Sequence, residues 1–435
     1  MNDLYLYEWK WEKLPPGFDI PGFKQYLTGI WENRSLLYFE KEEEINEEEI
    51  SDLKRYKQGF VRFDDEYISA KNYVGFIQYD GVSINILPKV FAKSVPDPAS
   101  RMHYITSNLL HWLRYSTRLR FPFSDVSFEE QKFDHFLEPF IFIYAEFTNK
   151  LLEQLPFQRF EEITEATSFL KGRLAVNEYI GTSLVTGNNQ RIISNYESFQ
   201  FDNLFNQILK FVSRVLLTVT ENGYSRRRLQ NILFMLDEVE DRNCIEKDCN
   251  KVTFNRLYDE WQPILNMCKM FLSGNSFRSQ SIGNPNFCFL VPMELVYEEY
   301  IVGVIEKYSF KQVLRQPRFK FLTDCNTFQL KPDIIYNDSI IIDTKYKELD
   351  ENSADGKYGV SQQDLYQMMG YAVRYEKDKI ILLYPYIKKQ DDCPVKKVKS
   401  FFLTDEFSNQ KISIQIKEVN ILEAKEKELY PFILL

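Results

Sequence analysis

The sequence predicts an α+β protein of several domains: a β-rich N-terminal domain over residues 1–98, a helical middle over 99–275, and a C-terminal α/β core with a mixed sheet over 276–435. Three observations predict it. Residues 58–91 read as all-β, with strand Tyr73–Tyr79 and the cleanly alternating Val82–Leu87 on either side of Asp80-Gly81, a strong hairpin-turn signal. Residues 100–275 carry apolar side chains at spacings of three and four, the mark of helices. From residue 292 the order reads helix, strands, helix, strand, which suits a sheet covered by helices. A chain of 435 residues, 44% apolar and 16% aromatic, is long enough for two or three packed cores.

Taken in order, Tyr5–Trp9 reads as a strand with three aromatics on one face and Leu6 and Glu8 on the other. Phe39–Ile50, FEKEEEINEEEI, is a charge run with the character of a solvated helix or loop; the lesser reading is a docking surface for a basic partner. Tyr73–Tyr79 and Val82–Leu87 are the two strands of a hairpin, and Ala92–Pro98 is a proline-punctuated exit. Met102–Tyr115, Phe133–Leu155, Phe201–Glu221 and Leu257–Leu272 are expected helices, with Pro263 interrupting or restarting the last. Within the same helical region, Phe157–Leu174 is shorter and more polar, with Lys171 and Arg173 around Gly172. Asn222-Gly223 reads as a helix stop, and Arg226-Arg227-Arg228 opens the next helix, as a solvated start or a phosphate contact. Residues 276–290 read as loop. Pro292–Tyr308 is a helix carrying Glu294, Glu298, Glu299 and Glu306.

The chemistry concentrates in Gln329–Tyr346, QLKPDIIYNDSIIIDTKY. Two β-branched runs flank Asn337-Asp338-Ser339, so the stretch reads as an antiparallel hairpin. A turn centred near Asp338 sets Asp333 within about one residue of Asp343, and cross-strand neighbours lie about 4.5–5.5 Å apart. Asp343 and Lys345 are two apart and share a face. Two such carboxylates repel unless a cation lies between them, and hard oxygen donors suit Mg²⁺. Lys345 would then orient a water or help deprotonate it. The same letters also spell a surface hairpin with a solvated ion pair, but the acids stand at the ends of apolar runs, where solvated charge is less expected. In Ser361–Tyr375, with Ser361 as N-cap, Gln367 and Tyr371 share one helical face. They read either as a functional pair or as a core tyrosine with a boundary glutamine. Lys379–Tyr384 is a buried strand, and Lys399–Leu403 and Ile412–Ile416 are expected edge strands.

Composition excludes several classes. No stretch of 18 uncharged apolar residues exists, so no membrane span is expected. The opening MNDLYLYEWKWEKLP has neither signal-peptide nor transit-peptide character, and a cytoplasmic location is expected. Six cysteines form no C-x-x-C pair, and the three histidines lie far from them in sequence, so neither a zinc site nor a disulfide framework is expected. A formal charge of −9 disfavours a tight stand-alone DNA binder, since affinity would come largely from phosphate neutralisation.

Pro332-Asp333, followed by Asp343-Thr344-Lys345, resembles the PD-(D/E)XK nuclease motif, and Gln367 with Tyr371 is similar to the Gln-x-x-x-Tyr pair of a large branch of that superfamily. YVGFIQYDGVSINILPK (73–89), FQRFEEITEATSFLKGRL (157–174) and FDNLFNQILK (201–210) resemble, in order, segments of the McrC family, the nuclease subunit of modification-dependent restriction systems. The resemblance spans most of residues 60–385. It implies a C-terminal PD-(D/E)XK core that cuts both strands of double-stranded DNA with Mg²⁺. It also implies an N-terminal part that docks on a hexameric McrB-type AAA+ GTPase and stimulates it, and it admits contact between two McrC-type subunits in the full assembly. Carried over residue by residue, it gives Asp333, Asp343 and the backbone carbonyl of Thr344 to the metal and Lys345 to the water. Gln367 and Tyr371 would support the site and touch DNA. Glu298 is the candidate for the further acid that such cores take from the helix before the hairpin; an ordinary surface glutamate is the other reading. A non-catalytic activator of the GTPase ring and a stand-alone nuclease are the competing functions. The first 60 and last 50 residues match nothing in the family pattern.

Overall fold

The computed structural model describes residues 2–32, 58–98, 101–119, 121–122, 133, 135–188, 190–273, 286–349, 356–388, 394–404 and 411–434. The charge run at 39–50 and most of the expected loop at 276–290 lie outside them. The chain is mixed α+β and divides into two compact units, one formed by residues 1–137 with 286–435 and one by 138–285. Among the described residues no helix is long and apolar enough to cross a membrane.

The first unit begins with a four-stranded sheet in the order Asn2–Tyr7, Val82–Leu87, Tyr73–Tyr79, Phe287–Pro292. The outer N-terminal strand runs parallel to its neighbour and the rest are antiparallel. Asp80 and Gly81, with φ of +48° and +76°, make the hairpin turn the sequence predicts. The first strand stops at Tyr7 rather than Trp9, because Trp9 turns the chain with φ of +66°. Helix Ile20–Glu32 buries Phe23, Leu27, Ile30 and Trp31 against Leu6, Ile77, Ile84 and Ile86.

Strand Phe287–Pro292 departs most from expectation, since it begins inside the stretch read as loop and completes the N-terminal sheet. FCFLVP is uniformly apolar and has both faces covered, so period-two alternation is missing. Gly75 admits this strand. Its φ is +139°, and a Cβ there would lie 2.0 Å from the Phe289 carbonyl oxygen. Gly75→Ala is therefore expected to cost about 3 kcal/mol or more, read as a fall in denaturation midpoint.

The same unit holds a six-stranded mixed sheet in the order Val313–Arg315, Ile334–Tyr336, Ile340–Thr344, Lys379–Tyr386, Lys411–Asn420, Val395–Thr404. Ile340–Thr344, Lys379–Tyr386 and Lys411–Asn420 are parallel, and the remaining neighbours are antiparallel. The expected edge strand at 412–416 is thus interior, and only 395–404 closes that side. Helix Gln362–Tyr375 packs Met368, Tyr371, Ala372 and Tyr375 on Ile341, Ile380 and Leu382.

Residues near the C-terminus are anchored by charge. His111, on helix Met102–Leu113, sets Nδ1 3.3 Å from Glu423 and Nε2 2.5 Å from Glu426, which also takes Lys307 at 2.7 Å. Burial alone would lower the imidazolium, but Glu423 and Glu426 hold it above its usual 6.5. A cation with a raised folded-state pKa contributes stability that is complete below the unfolded value and fades as pH rises through the folded one. The denaturation midpoint of the wild type is therefore expected to fall as pH climbs above 6.5. His111→Gln should flatten that slope.

Among its described residues the second unit is helical with one sheet. Helices Leu204–Val219, Gly223–Met235 and Gln262–Ser273 occupy expected segments, and Pro263 restarts the last after a short 3₁₀ turn at Arg256–Trp261. Arg159–Thr167, by contrast, is a strand paired with Ile192–Gln200, which also takes Arg173–Leu174. The β-branched Ile163, Thr164 and Thr167 and the pairing with Ile192–Gln200 outweigh its helix-favouring glutamates. Asn222 does not end the preceding helix; it caps the next, accepting from the Tyr224 and Ser225 amides at 2.9 and 3.0 Å. Asn203 and Asn206 are structural as well. Asn203 caps its own helix, and Asn206 donates to the Phe157 and Phe201 carbonyls at 3.0 and 2.7 Å.

Candidate active site

The hairpin forms where the sequence places it. Asn337 and Asp338 both take φ of +48°, which their short polar side chains tolerate, and the Ser339 amide closes the turn on the Tyr336 carbonyl at 3.1 Å. Pairing runs Ile334 to Ile342, Ile335 to Ile341 and Tyr336 to Ile340. One further step of that register sets Asp333 across from Asp343.

Asp333 is pinned by the other strand. One carboxylate oxygen accepts from both the Thr344 amide and the Thr344 hydroxyl, each at 2.6 Å. Its own carbonyl accepts from the Gln316 amide at 2.8 Å. Asp343 is 1% exposed. Its Oδ2 lies 2.6 Å from the Lys345 ammonium and accepts no well-formed hydrogen bond among the described residues. Burial pushes both carboxyls up to about 7; the Glu298 charge adds to the rise at Asp333, and the Asp333 charge adds to it at Asp343. Burial alone would lower the Lys345 ammonium, but Asp343 and Asp333 hold it above its usual range, so it stays charged.

A relay orients that ammonium. Lys345 Nζ donates to Gln367 Oε1 at 3.0 Å, Gln367 Nε2 donates to the Tyr371 hydroxyl at 2.8 Å, and that hydroxyl donates to the Lys331 carbonyl at 2.9 Å. Tyr371 is buried as a core residue would be, but its hydroxyl is committed to this chain of contacts, which returns to the backbone two residues before Asp333.

The four acids of helix Met293–Tyr308 separate by direction. Glu294 accepts from Asn72 at 2.7 Å, Glu299 accepts from Thr117 at 3.2 Å, and Glu306 pairs with Arg315. Glu298 is half-buried, accepts from Gln316 Nε2 at 2.5 Å and repels Asp333 and Asp343, so it alone acts on the hairpin acids. Gln316 was not legible as a site residue. Its two contacts join it to a helix and a strand that only the fold brings beside it.

The donor set suits a hard divalent ion. Among the described residues no three Asp, Glu, His or Cys side chains form a closed metal cage. Mg²⁺ asks for no cage, because it keeps several waters and takes one or two carboxylates together with substrate phosphate. Two buried carboxyls in mutual repulsion, with the Lys345 ammonium beside Asp343, meet that requirement.

The chain is similar over its whole length to a chain of the refined half-complex from the tetradecameric assembly of Thermococcus gammatolerans McrB AAA+ hexamers with bound McrC, at 19% identity, TM-score 0.67 and 99% coverage of that chain. A second likeness is to the cryo-EM structure of the Thermococcus gammatolerans McrBC complex, at 20% identity and TM-score 0.50, over 70% of this chain and 88% of that one. At these identities the likeness is one of fold. No curated protein matches the chain. The family model described as McrBC 5-methylcytosine restriction system component matches residues 68–385, well over half of the sequence, and the chain therefore belongs to that family.

Proposed function

We propose that the chain is the Mg²⁺-dependent DNA endonuclease subunit of a GTP-dependent, modification-dependent restriction complex. It hydrolyses phosphodiester bonds of double-stranded DNA through a PD-(D/E)XK core while docked on an McrB-type AAA+ GTPase hexamer whose hydrolysis it stimulates. The observation that carries the reading is the meeting of Asp333, Asp343 and Lys345 at one end of a hairpin inside a mixed sheet. The partner follows from family membership and from a fold similar to a chain of an assembly of McrB hexamers with bound McrC.

In this reading Asp333, Asp343 and the Thr344 carbonyl hold Mg²⁺. When bound there, the ion would supply neutralising charge at the scissile phosphate and a more acidic water. Thr344 fixes Asp333 by one oxygen, so the carboxylate keeps its orientation when a phosphate approaches. Lys345 stays an ammonium and directs a water and a phosphate oxygen by donation; its charged state favours orienting the water over removing its proton. Gln367 and Tyr371 hold Lys345 in place and present the exposed Gln367 amide toward DNA.

The test is scission of plasmid DNA bearing 5-methylcytosine by the chain reconstituted with its GTPase partner, GTP and Mg²⁺. Cutting that stops with EDTA, and falls on the order of a thousandfold in Asp333→Ala while GTP hydrolysis persists, is the expected result. Stimulated GTP hydrolysis with no scission by the unaltered chain would make the protein an activator only.

A further inference from the structure

Tyr346 follows Lys345 directly, two residues beyond the end of strand Ile340–Thr344. It is 3% exposed, and residues from the N-terminal sheet grip it twice. Its hydroxyl donates to Glu8 Oε2 at 2.8 Å. Its backbone carbonyl accepts from Lys89 Nζ at 2.9 Å, and the same ammonium lies 4.4 Å from the centre of its ring. The grip is closed on itself, because the Lys89 amide donates to that Glu8 oxygen at 2.9 Å. A further ion pair, Lys93 to Glu348 at 2.7 Å, joins the same two segments.

Glu8 and Lys89 stand just beyond the ends of strands Asn2–Tyr7 and Val82–Leu87, which are parallel neighbours, so both ends arrive together. Packing alone does not call for this arrangement. Glu8 is 2% exposed, and its Oε1 has no hydrogen-bond partner among the described residues. A buried carboxylate with an unsatisfied oxygen costs stability that a leucine or glutamine would not. Its return is a fixed backbone at residue 346, one peptide from the ammonium that must stay 2.6 Å from Asp343 and 3.0 Å from Gln367.

We infer that Glu8 and Lys89 are positioning residues of the active site, holding Tyr346 by hydroxyl and carbonyl so that Lys345 stands where the acids need it. The inference rests on the nuclease reading of the hairpin. It makes the N-terminal sheet part of the cutting apparatus, in addition to any docking role.

The test uses the full chain in the reconstituted complex, with Asp343→Asn as a control. Expected results are a fall in single-turnover scission on the order of tenfold to a hundredfold in Glu8→Ala and in Tyr346→Phe, with the DNA concentration for half-maximal rate unchanged and GTP hydrolysis intact. Glu8→Gln, which keeps an acceptor for the Tyr346 hydroxyl, should recover most of the rate lost in Glu8→Ala. Amide hydrogen exchange should rise over residues 344–348 in Glu8→Ala and stay constant over 73–87. Full scission in both Glu8→Ala and Tyr346→Phe, beside a dead Asp343→Asn, would overturn the positioning role alone. Exchange rising equally in both segments would reduce the grip to ordinary packing, and scission surviving in Asp343→Asn would overturn the nuclease reading together with it.

Discussion

Asp343→Asn is expected to reduce DNA scission on the order of a thousandfold or more while raising the metal-free denaturation midpoint. The two effects have one cause. Asp343 is buried beside Asp333, with Glu298 adding repulsion, and Lys345 supplies one positive charge against three acids. Without an ion, and at a pH above about 7 where both carboxyls ionise, the folded state keeps like charges together out of water, which costs free energy that the unfolded chain avoids. Asparagine keeps the shape and removes one charge, so about 1–2 kcal/mol of stability should return in EDTA. The same substitution removes the negative oxygen that would bind the ion, and the rate falls. Paired midpoint and scission measurements check this directly. A loss of both stability and scission would instead mark Asp343 as a structural member of an ion pair.

Lys345→Met is expected to act with the opposite sign on stability and the same sign on rate. Removing the ammonium leaves Asp343 buried without its cation, and breaking a buried pair from one side costs about 3 kcal/mol. Scission should fall on the order of a hundredfold to ten-thousandfold, because donation to the water and phosphate is lost. The double variant Asp343→Asn/Lys345→Met should regain much of the stability lost in Lys345→Met, since residues in direct contact do not contribute additively. Denaturation midpoints of the four proteins in EDTA, with scission rates in Mg²⁺, close the cycle. Equal stability of Lys345→Met and wild type would mean that the ion pair contributes nothing.

These expectations concern the part of the molecule that local sequence encodes best. Ile334-Ile335 and Ile340-Ile341-Ile342 specify strands within a few residues of each other, and Asn337-Asp338 supplies the left-handed turn between them. Once the turn is placed, the register follows, and with it the meeting of Asp333 and Asp343. The Lys345–Gln367–Tyr371 relay is half-legible: helical spacing pairs Gln367 with Tyr371, but nothing in the letters points the amide at Lys345.

What escaped the sequence depends on contacts between distant segments. Phe287–Pro292 is six apolar residues whose partner strand lies some two hundred positions earlier, and Gly75 carries the φ that lets them meet only in the folded sheet. Glu8 reads as the polar residue of an alternating strand; its burial under Tyr346 arises from two strand ends far apart in sequence. Arg159–Thr167 was hidden for another reason: Phe160, Ile163 and Ala166 recur every three positions rather than every two, and its three glutamates favour helix. Asn222-Gly223 carries two meanings, helix stop and helix start, and the capping bonds to Tyr224 and Ser225 decide between them.

The central claim is that two acids are brought together to hold one kind of ion. Anomalous scattering from crystals of the full chain grown with Mn²⁺ in place of Mg²⁺ tests it most directly. The account predicts a peak within about 2.0–2.3 Å of oxygens from Asp333 and Asp343, with the Thr344 carbonyl beside it, and no peak in Asp343→Asn crystals. A site with no peak at saturating Mn²⁺, while Lys345 stays locked on Asp343, would contradict it.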